Sequence, residues 1–378
     1  MKIAINTTSA VAGGGVTYLK NLLRCLSKTP ANHQYLIITT SSGKETFYFR
    51  HPNFTFLSFR IPSKGSLLRI FWEQCILPSI IKRYGADILF SPGNICPLFP
   101  AIPNVVMVQN IEPLSNGPSI KRSLFQNIRL RLLKQLTLLS VKKARWVIFP
   151  STKVHTLLEK TGISVKHAEV IYHSVNREIF YPRKEDDWLN QYKKKHGLEK
   201  FILYVSHIQR YKNFMELIKA FILLKGRIDD TVQLAFAGEC FDREYYNEMK
   251  AFITEHQYED RIIFLGNIPY TELPYLYSAC MIFVYPSTCE SFGMTLGEAM
   301  ACGAPVLASN REPMIEICGD AAIYFDPTDP AAIAGVIFNT LVDKDLISIL
   351  KIRSLKRSEE FSWENTVKKI LEIFGGIV

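Results

Sequence analysis

The sequence predicts an α/β protein built from two doubly wound parallel-sheet domains that face each other across a cleft. Apolar runs typical of buried strands alternate with helical stretches along nearly the whole chain. The 378 residues are enough for two domains with separate cores. A polar, charge-dense segment at 183–200 interrupts the alternation near the middle. We therefore expect a first domain over 1–182, a linker over 183–200 and a second domain over 201–360.

The composition is that of an ordinary soluble enzyme, with 48% hydrophobic and 21% charged residues. The eight cysteines include no Cys-x-x-Cys spacing, so we expect reduced thiols and neither a metal site nor a disulfide frame. Residues 1–6 have the pattern of a strand rather than of a signal peptide. These features favour a cytoplasmic location.

Positive charge is concentrated in the first half of the chain. Residues 1–180 contain 23 lysines and arginines against 7 acids, a net charge of +16, within a total of +10. The segment 119–145 is basic and rich in leucine, a composition that suits an anionic membrane surface, and this surface is a further candidate partner. Ordinary packing, in which the lysine and arginine side chains extend outward to the solvent, fits equally well, because Arg129 and Lys143 fall on the apolar side of an ideal helical wheel. We expect no nucleic-acid partner, since no recognised binding module accompanies the charge.

The first predicted strand, 2–6, leads into a glycine-rich loop that contains Gly14 and Gly15, followed by a helical pattern. Such a loop can cradle a phosphate at a helix N-terminus. It can equally be a tight turn that needs positive φ. The loop is not Gly-x-Gly-x-x-Gly, and the next strand ends without an acid, so we expect no dinucleotide cofactor, and indeed no cofactor of any kind.

Polar residues follow several other predicted strands, where the ligand crevice of a parallel sheet lies. Gln109 and Asn110 follow the strand at 105–108 in the first domain. In the second domain, the strand at 201–206 is followed by three potential cations, His207, Arg210 and Lys212. The next two strands end at Gly238 and Gly266. A last helical pattern covers 361–374.

The segment 281–308 has the pattern strand, loop, short helix and strand. Glu290 lies in the loop and Glu298 in the helix. The backbone N–H groups of Gly293, Met294 and Thr295 would be unpaired at the helix start, which suits an anion. The alternative is an ordinary helix whose solvated face carries Glu298.

The Glu290-x7-Glu298 pair and the residues around it resemble the retaining glycosyltransferases of family 4, which have the GT-B fold. The resemblance implies that Glu290 approaches the donor sugar and that Glu298 holds the ribose hydroxyls of the nucleotide. It implies that the helix start receives the diphosphate and that the backbone after Gly266 meets the base. It also implies that the loop of Gly14 and Gly15 closes over the donor.

The donor-binding set implied by the resemblance also includes other residues. They are Arg210, Lys212, Gly238, Phe292, Gly293, Met294 and Thr295. The final helix, about 361–378, is expected to cross back to the first domain.

The chain departs from the family pattern at two places. A histidine is common near the position of Gln109, so we assign Gln109 and Asn110 to the acceptor side without a role in proton transfer. In the second domain, the family carries an arginine five residues before its lysine. Lys212 matches that lysine, whereas His207 stands in place of the arginine and Arg210 lies two residues before Lys212, so either could supply the charge. We take Glu290, Lys212 and His207 as the catalytic candidates.

The resemblance implies transfer of a sugar, with retention, from a nucleoside diphosphate sugar to a hydroxyl of a glycan or lipid-linked acceptor. We expect no metal, because no carboxylate pair is placed to hold a divalent ion on the diphosphate. The segment 319–327 is similar to bacterial polysaccharide mannosyltransferases, which favours GDP-mannose and a role in cell-envelope polysaccharide synthesis.

Two alternatives remain at this point. The first is a nucleotide-sugar-binding regulator with weakened catalysis, suggested by Gln109 and His207. The second is a sugar nucleotide epimerase on the same fold. A basic interaction module without chemistry would leave the Glu290–Glu298 region unexplained.

Overall fold

The computed structural model describes residues 1–11, 13–30, 32–61, 67–115, 124–184 and 187–378. These residues form two compact units. The first contains Met1–Ser174 together with Trp363–Val378, and the second contains Val175–Ser362. The C-terminal helix is thus part of the first unit.

Strands and helices alternate along the described residues. The strands are β1 (Lys2–Asn6), β2 (Gln34–Thr40), β3 (Phe54–Phe59), β4 (Ile88–Ser91), β5 (Asn104–Met107), β6 (Trp146–Phe149), β7 (Ala168–Val170), β8 (Lys200–Val205), β9 (Val232–Ala237), β10 (Ile262–Gly266), β11 (Ile282–Tyr285), β12 (Val306–Ser309) and β13 (Ala322–Phe325). The α-helices are α1 (Gly14–Lys28), α2 (Ser41–Phe47), α3 (Leu67–Cys75), α4 (Leu77–Arg83), α5 (Leu124–Lys143), α6 (Thr152–Glu159), α7 (Asp187–Lys195), α8 (Phe214–Ile222), α9 (Arg243–Glu255), α10 (Leu273–Ala279), α11 (Met294–Ala301), α12 (Met314–Cys318), α13 (Pro330–Val342), α14 (Lys344–Ser358) and α15 (Trp363–Gly375).

The first unit is organised around a seven-stranded parallel sheet with the order β3-β2-β1-β4-β5-β6-β7. The order reverses beside β1, which pairs with β2 on one side and β4 on the other. β1 is buried on both faces, as expected for a central parallel strand. On one face, α15 completes the core, where Trp363 meets Tyr18 at 5.3 Å and Phe374 meets Phe90 at 5.6 Å between ring centroids.

The second unit contains a six-stranded parallel sheet with the order β10-β9-β8-β11-β12-β13. Its chain order also reverses, between β8 and β11. The prediction of two doubly wound parallel sheets is confirmed. Because neighbouring parallel strands end at one edge, the segments after β8, β9, β10 and β11 come together at the second sheet's carboxyl edge.

The segment 183–200, predicted as a linker, lies in the second unit, apart from residues 185–186, which are outside the described set. Part of it forms α7, whose lysines 193–195 are in the last turn. Tyr192 is buried, with its ring 5.8 Å from that of Tyr275, and Arg183 N donates to Ser278 Oγ at 2.9 Å. The charge density therefore marks the outer face of a packed helix, and the division between the units falls at Ser174 and Val175.

In the described part of the chain, none of the helices combines the length and apolar composition needed to cross a membrane.

Candidate functional site

The loop between β11 and α11 ends at a glycine that starts the helix. Gly293 has φ of 86° and occupies the N-cap position of α11, where it has no side chain to accept a hydrogen bond from the first turn. A Cβ at this position would lie 3.1 Å from Leu296 Cδ1, in a backbone region that L-residues rarely adopt. Met294 and Thr295 are half-buried in the first turn of α11. The helix start thus presents backbone rather than side chain, which is the arrangement that suits an anion.

Lys212, Glu290 and Tyr285 form a compact cluster beside this helix. Lys212 Nζ forms an ion pair with Glu290 Oε1, and Tyr285 OH donates to the same oxygen at 2.6 Å. Lys212 is only 8% exposed, so its charge is held in a partly dehydrated place by the carboxylate. Burial raises the pKa of Tyr285 well above its usual value, with the Glu290 charge adding to the effect, so this hydroxyl keeps its proton.

The two donors converge on one oxygen of the Glu290 carboxylate. Among the described residues, no hydrogen bond to Oε2 of Glu290 is formed. A carboxylate oxygen can accept two hydrogen bonds. The cluster therefore fixes Glu290 through one oxygen and leaves the other for a bound ligand.

His207 and Arg210, the two candidates for the missing arginine, have different partners from Lys212. The His207 ring stacks on Phe241, with centroids 4.2 Å apart. Burial, followed by the nearby charge of Lys212, lowers the pKa of His207, so the ring is neutral at pH 7. Arg210 donates from Nη1 and Nη2 to Glu248 at 2.8 and 2.6 Å. Its guanidinium is committed to a carboxylate of α9, and Lys212 holds the positive charge nearest Glu290.

Glu298 lies inside the second unit. It is 4% exposed, and Tyr277 OH donates to its Oε2 at 3.4 Å. Burial raises the pKa of Glu298 to about 8, against the opposing hydrogen bonds from Tyr270 and Tyr277. The alternative of a solvated helix face carrying Glu298 is therefore wrong.

The remaining donor-side candidates of the second unit have clear structural roles. Gly238 has φ of +147°, and a Cβ there would collide with the carbonyl oxygen of Ser206. Gly266 ends β10 with φ of +68° and accepts from Gly238 N at 2.8 Å. The Phe292 side chain is fully buried, perpendicular to Phe361 at 5.6 Å. Phe292 can meet a donor only through its backbone.

In the first unit, the glycine loop and the acceptor-side candidates are neighbours. Gly14 is the exposed first residue of α1, and a Cβ on Gly15 would lie 4.0 Å from Gln109 Oε1. Backbone N–H groups of Gln109 and Asn110 both donate to Asn94 Oδ1, at 2.9 and 2.8 Å. Asn94 thus fixes the turn after β5, and it is a residue that the sequence pattern did not single out.

Tyr285 is the other important residue that sequence reasoning missed. It ends the apolar run of β11, where an aromatic residue is expected to serve the core. Only the contact with Glu290, five residues later, distinguishes it from such a residue.

The described residues contain no cluster of three or more His, Cys, Asp or Glu side chains able to hold a metal ion. One Asp-x-Asp spacing does occur, at Asp343 and Asp345. Asp343 Oδ1 accepts from Leu346 N at 2.9 Å and so caps α14.

Two family models match successive parts of the chain. The family described as Glycosyltransferase Family 4 matches residues 12–179, and the family described as Glycosyl transferases group 1 matches residues 186–354. Among curated proteins, O-antigen chain mannosyltransferase B of Escherichia coli is 34% identical over 175 residues, which are 46% of this chain and 45% of that protein. The O-antigen chain mannosyltransferase RfbU of Salmonella typhimurium is 28% identical over 269 residues, 69% of each chain.

The chain spans less than half the length of several curated E. coli relatives that it matches. Among solved structures, Anabaena Alr3699/HepE in complex with UDP and glucose superposes with a TM-score of 0.79 at 19% identity, covering 100% of both chains. That likeness shows the GT-B fold. The chain belongs to the glycosyltransferases that join a family 4 domain to a group 1 domain in the GT-B fold, and it is similar to the O-antigen mannosyltransferases.

Proposed function

We propose that this protein transfers mannose, with retention of the anomeric configuration, from GDP-mannose to a hydroxyl of a glycan or lipid-linked acceptor in cell-envelope polysaccharide synthesis. The observation that carries the proposal is the cluster of Lys212, Tyr285 and Glu290 beside the bare start of α11. The choice of mannose is supported by the relatives, whose names describe mannosyltransferases.

In this proposal, the diphosphate lies against the start of α11, between its backbone N–H groups and the Lys212 ammonium. Negative charge grows on the leaving oxygen as the glycosidic bond breaks. Only interactions that strengthen in the transition state accelerate this step. The helix start and Lys212 have this property, because both attract negative charge in a site with little water.

Glu290 would orient the donor sugar through Oε2 while Lys212 and Tyr285 hold Oε1. Its negative charge would also stabilise positive character at the anomeric carbon. Glu298 would accept the ribose hydroxyls of the nucleotide, with Tyr277 holding its other side. In the first unit, the loop of Gly14 and Gly15 is kept as a donor-side candidate, and Gln109 and Asn110 are kept as acceptor-side candidates.

The proposal is tested first by donor binding. Thermal shift with UDP-, GDP-, ADP- and TDP-sugars should show the largest stabilisation with GDP-mannose, since a donor far above its Kd stabilises by about 3 kcal/mol. Transfer is then followed with radiolabelled GDP-mannose and an acceptor extract, and the anomeric configuration of the product is read by NMR. An inverted product, or a preference for a UDP-sugar, would correct the proposal.

The second candidate is a nucleotide-sugar-binding regulator. The neutral His207 and the amide of Gln109 favour it, because each lacks the charge or the base that the family pattern provides. Tight donor binding without release of GDP in the presence of the acceptor extract would support this candidate over the transferase.

A further inference from the structure

Helix α5 carries an apolar stripe that the fold leaves uncovered. Ile128, Leu132 and Leu139 are exposed, Ile128 by 56%. At the helical repeat these three side chains fall within an arc of about 40°. The opposite side of the helix is the one that packs, with Thr137, Ser140 and Val141 buried. The stripe therefore contributes nothing to the core of the first unit.

Exposed basic residues border this stripe on both sides. At the helical repeat, Arg131 and Lys142 lie along one edge, and Lys143 and Arg129 lie along the other. No acidic residue occurs in α5. The exposed stripe explains why Arg129 and Lys143 fall on the apolar side of an ideal wheel, because these two residues flank the stripe of Ile128, Leu132 and Leu139.

A second uncovered apolar face lies on α3. Leu67, Leu68, Phe71 and Cys75 are exposed, Phe71 by 61%, and they fall within an arc of about 100°. The only acid of α3, Glu73, is buried beneath, where Thr8 Oγ1 donates to it at 2.6 Å. The outer face of this helix is thus apolar and without negative charge.

The loop at 96–99 is bonded to both helices. Gln74 of α3 bonds Cys96 O at 3.0 Å and Leu98 N at 2.8 Å, while Cys96 N donates to Ser140 Oγ of α5 at 3.1 Å. The next residue, Phe99, is 82% exposed, and Lys143 Nζ of α5 lies 5.9 Å from its ring centroid. We call the exposed residues of α3, Phe99 and the exposed residues of α5 the α3–α5 surface.

We propose that the α3–α5 surface docks on an anionic lipid bilayer, with its apolar side chains in the headgroup region and its basic side chains on lipid phosphates. Charge complementarity favours a bilayer as the occupant, since residues 1–180 carry a net charge of +16. Apolar side chains rimmed by lysine and arginine are typical of helices that lie in a membrane interface. This docking does not depend on the proposed sugar transfer. Together with that transfer, it would bring the donor site close to a lipid-linked acceptor.

The test is co-sedimentation with vesicles of phosphatidylglycerol and phosphatidylcholine, against phosphatidylcholine alone. The wild type should bind the anionic vesicles, bind more weakly at high salt, and bind poorly to the neutral ones. Removing three charges with Arg131→Gln, Lys142→Gln and Lys143→Gln should weaken binding about 100-fold. Ile128→Ser with Leu132→Ser should weaken binding roughly tenfold or more, and high salt should not mimic this loss.

Helix α14 of the second unit provides matched controls. It also exposes basic and apolar residues, and Lys344→Gln, Lys351→Gln and Lys356→Gln remove the same charge, while Ile349→Ser with Ile352→Ser removes similar apolar area. These variants should bind vesicles like the wild type. Unchanged thermal stabilisation by the donor in all variants would show that folding and the donor site are intact.

Three results would overturn the proposal. The first is absence of binding to the anionic vesicles at low salt. The second is equal loss of binding in the α5 and α14 variants. The third is self-association of the wild type that Ile128→Ser with Leu132→Ser abolishes, because the stripe would then be an interface between copies of this chain.

Discussion

Lys212 is the residue at which the proposed chemistry depends most on a single charge. Its ammonium is buried against Glu290, and additional charge develops on the departing diphosphate as the donor sugar leaves. We expect Lys212→Ala to lower kcat on the order of 100-fold or more, with a smaller change in KM. Lys212→Arg should restore activity only in part, because a planar fork does not replace a point charge.

The measurement is the rate of transfer at saturating donor, with Lys219→Ala as a control. Lys219 is an exposed residue of α8. If the Lys212→Ala enzyme keeps the wild-type kcat, the diphosphate does not lie against Lys212 as proposed.

Tyr285 should act as a positioning residue for Glu290. Tyr285→Phe removes one of the two donors to Oε1 and leaves Lys212 as the other. Hydrogen bonds to charged groups contribute roughly 1.5–3 kcal/mol, so we expect kcat to fall about tenfold to a hundredfold while nucleotide affinity is retained. Because both donors share one oxygen, the effects of Tyr285→Phe and Lys212→Ala should not be additive.

Tyr324→Phe is the matched control for a merely structural effect. Tyr324 OH also donates at 2.6 Å, to the backbone oxygen of Gly319. If Tyr285→Phe lowers the melting temperature as Tyr324→Phe does and leaves kcat unchanged, the positioning role is refuted.

Glu298 makes folding depend on pH in a predictable direction. Its pKa is about 8 in the folded protein, against 4.5 without the protein environment. Between these values the folded state holds a proton that the unfolded state has lost. The free energy of unfolding therefore falls as pH rises, by up to about 1.4 kcal/mol per pH unit, and levels off above pH 8.

Glu298→Gln should abolish this dependence. Urea unfolding of wild type and variant at several pH values from 5 to 8 gives the comparison, in which contributions from all other groups cancel. The variant should gain stability relative to the wild type with each step upward in pH. If the free energies of unfolding of wild type and variant change with pH in the same way, the pKa of Glu298 is not raised.

At the scale of elements, the site depends on how closely the backbone segments that follow neighbouring strands approach each other. Gly238 lets the chain after β9 pass the Ser206 carbonyl at the end of β8, where a Cβ would collide. Gly238→Ala should lower the free energy of unfolding by roughly 1–3 kcal/mol and disturb the segment from His207 to Lys212. Urea unfolding and nucleotide calorimetry measure the two effects.

Gly335 provides the opposite case for comparison. It lies in α13 with no atom within 4 Å of an added Cβ, so Gly335→Ala should be neutral or stabilise by up to about 1 kcal/mol. Similar destabilisation at both glycines would mean that the close approach of the Ser206 carbonyl does not explain why a glycine is needed at Gly238.

The elements also show what the sequence could and could not predict. Strands such as β8 and β11 are short, continuous apolar runs, so their length and composition locate them, and such runs are typical of parallel strands that are buried on both faces. Segment 187–195 misled the prediction, because its polar residues mask the few side chains, such as Tyr192, that pack. Local patterns reveal an element when its buried face is large.

The candidate site was predictable where a motif is local and was not where partners are distant. Gly293, Glu290 and Glu298 lie within nine residues, and their spacing identifies them. The ion pair between Arg210 and Glu248 joins residues 38 positions apart, and the ion pair between Lys212 and Glu290 joins residues 78 positions apart. Such pairings depend on tertiary packing, which a single sequence does not encode in any short pattern.

For the whole molecule, the prediction still to be tested is that a diphosphate is neutralised without a metal. A divalent ion on a diphosphate is usually held by one or two carboxylates together with the phosphates and several waters. The described residues lack a cluster of three potential ligands, and Glu290 already engages Lys212 and Tyr285. Asp343 is occupied as the cap of α14. Under this prediction, the positive potential on the diphosphate comes from Lys212 together with the start of α11.

We therefore expect full transfer activity in excess EDTA, with protein and donor first freed of metal. Asp343→Asn and Asp345→Asn, which change the one Asp-x-Asp spacing, should keep the wild-type kcat. Activity should fall only weakly as the ionic strength rises, because burial keeps solvent ions away from Lys212. Loss of activity in EDTA that Mg²⁺ or Mn²⁺ restores would show that a metal, rather than Lys212 and the helix start, neutralises the leaving group.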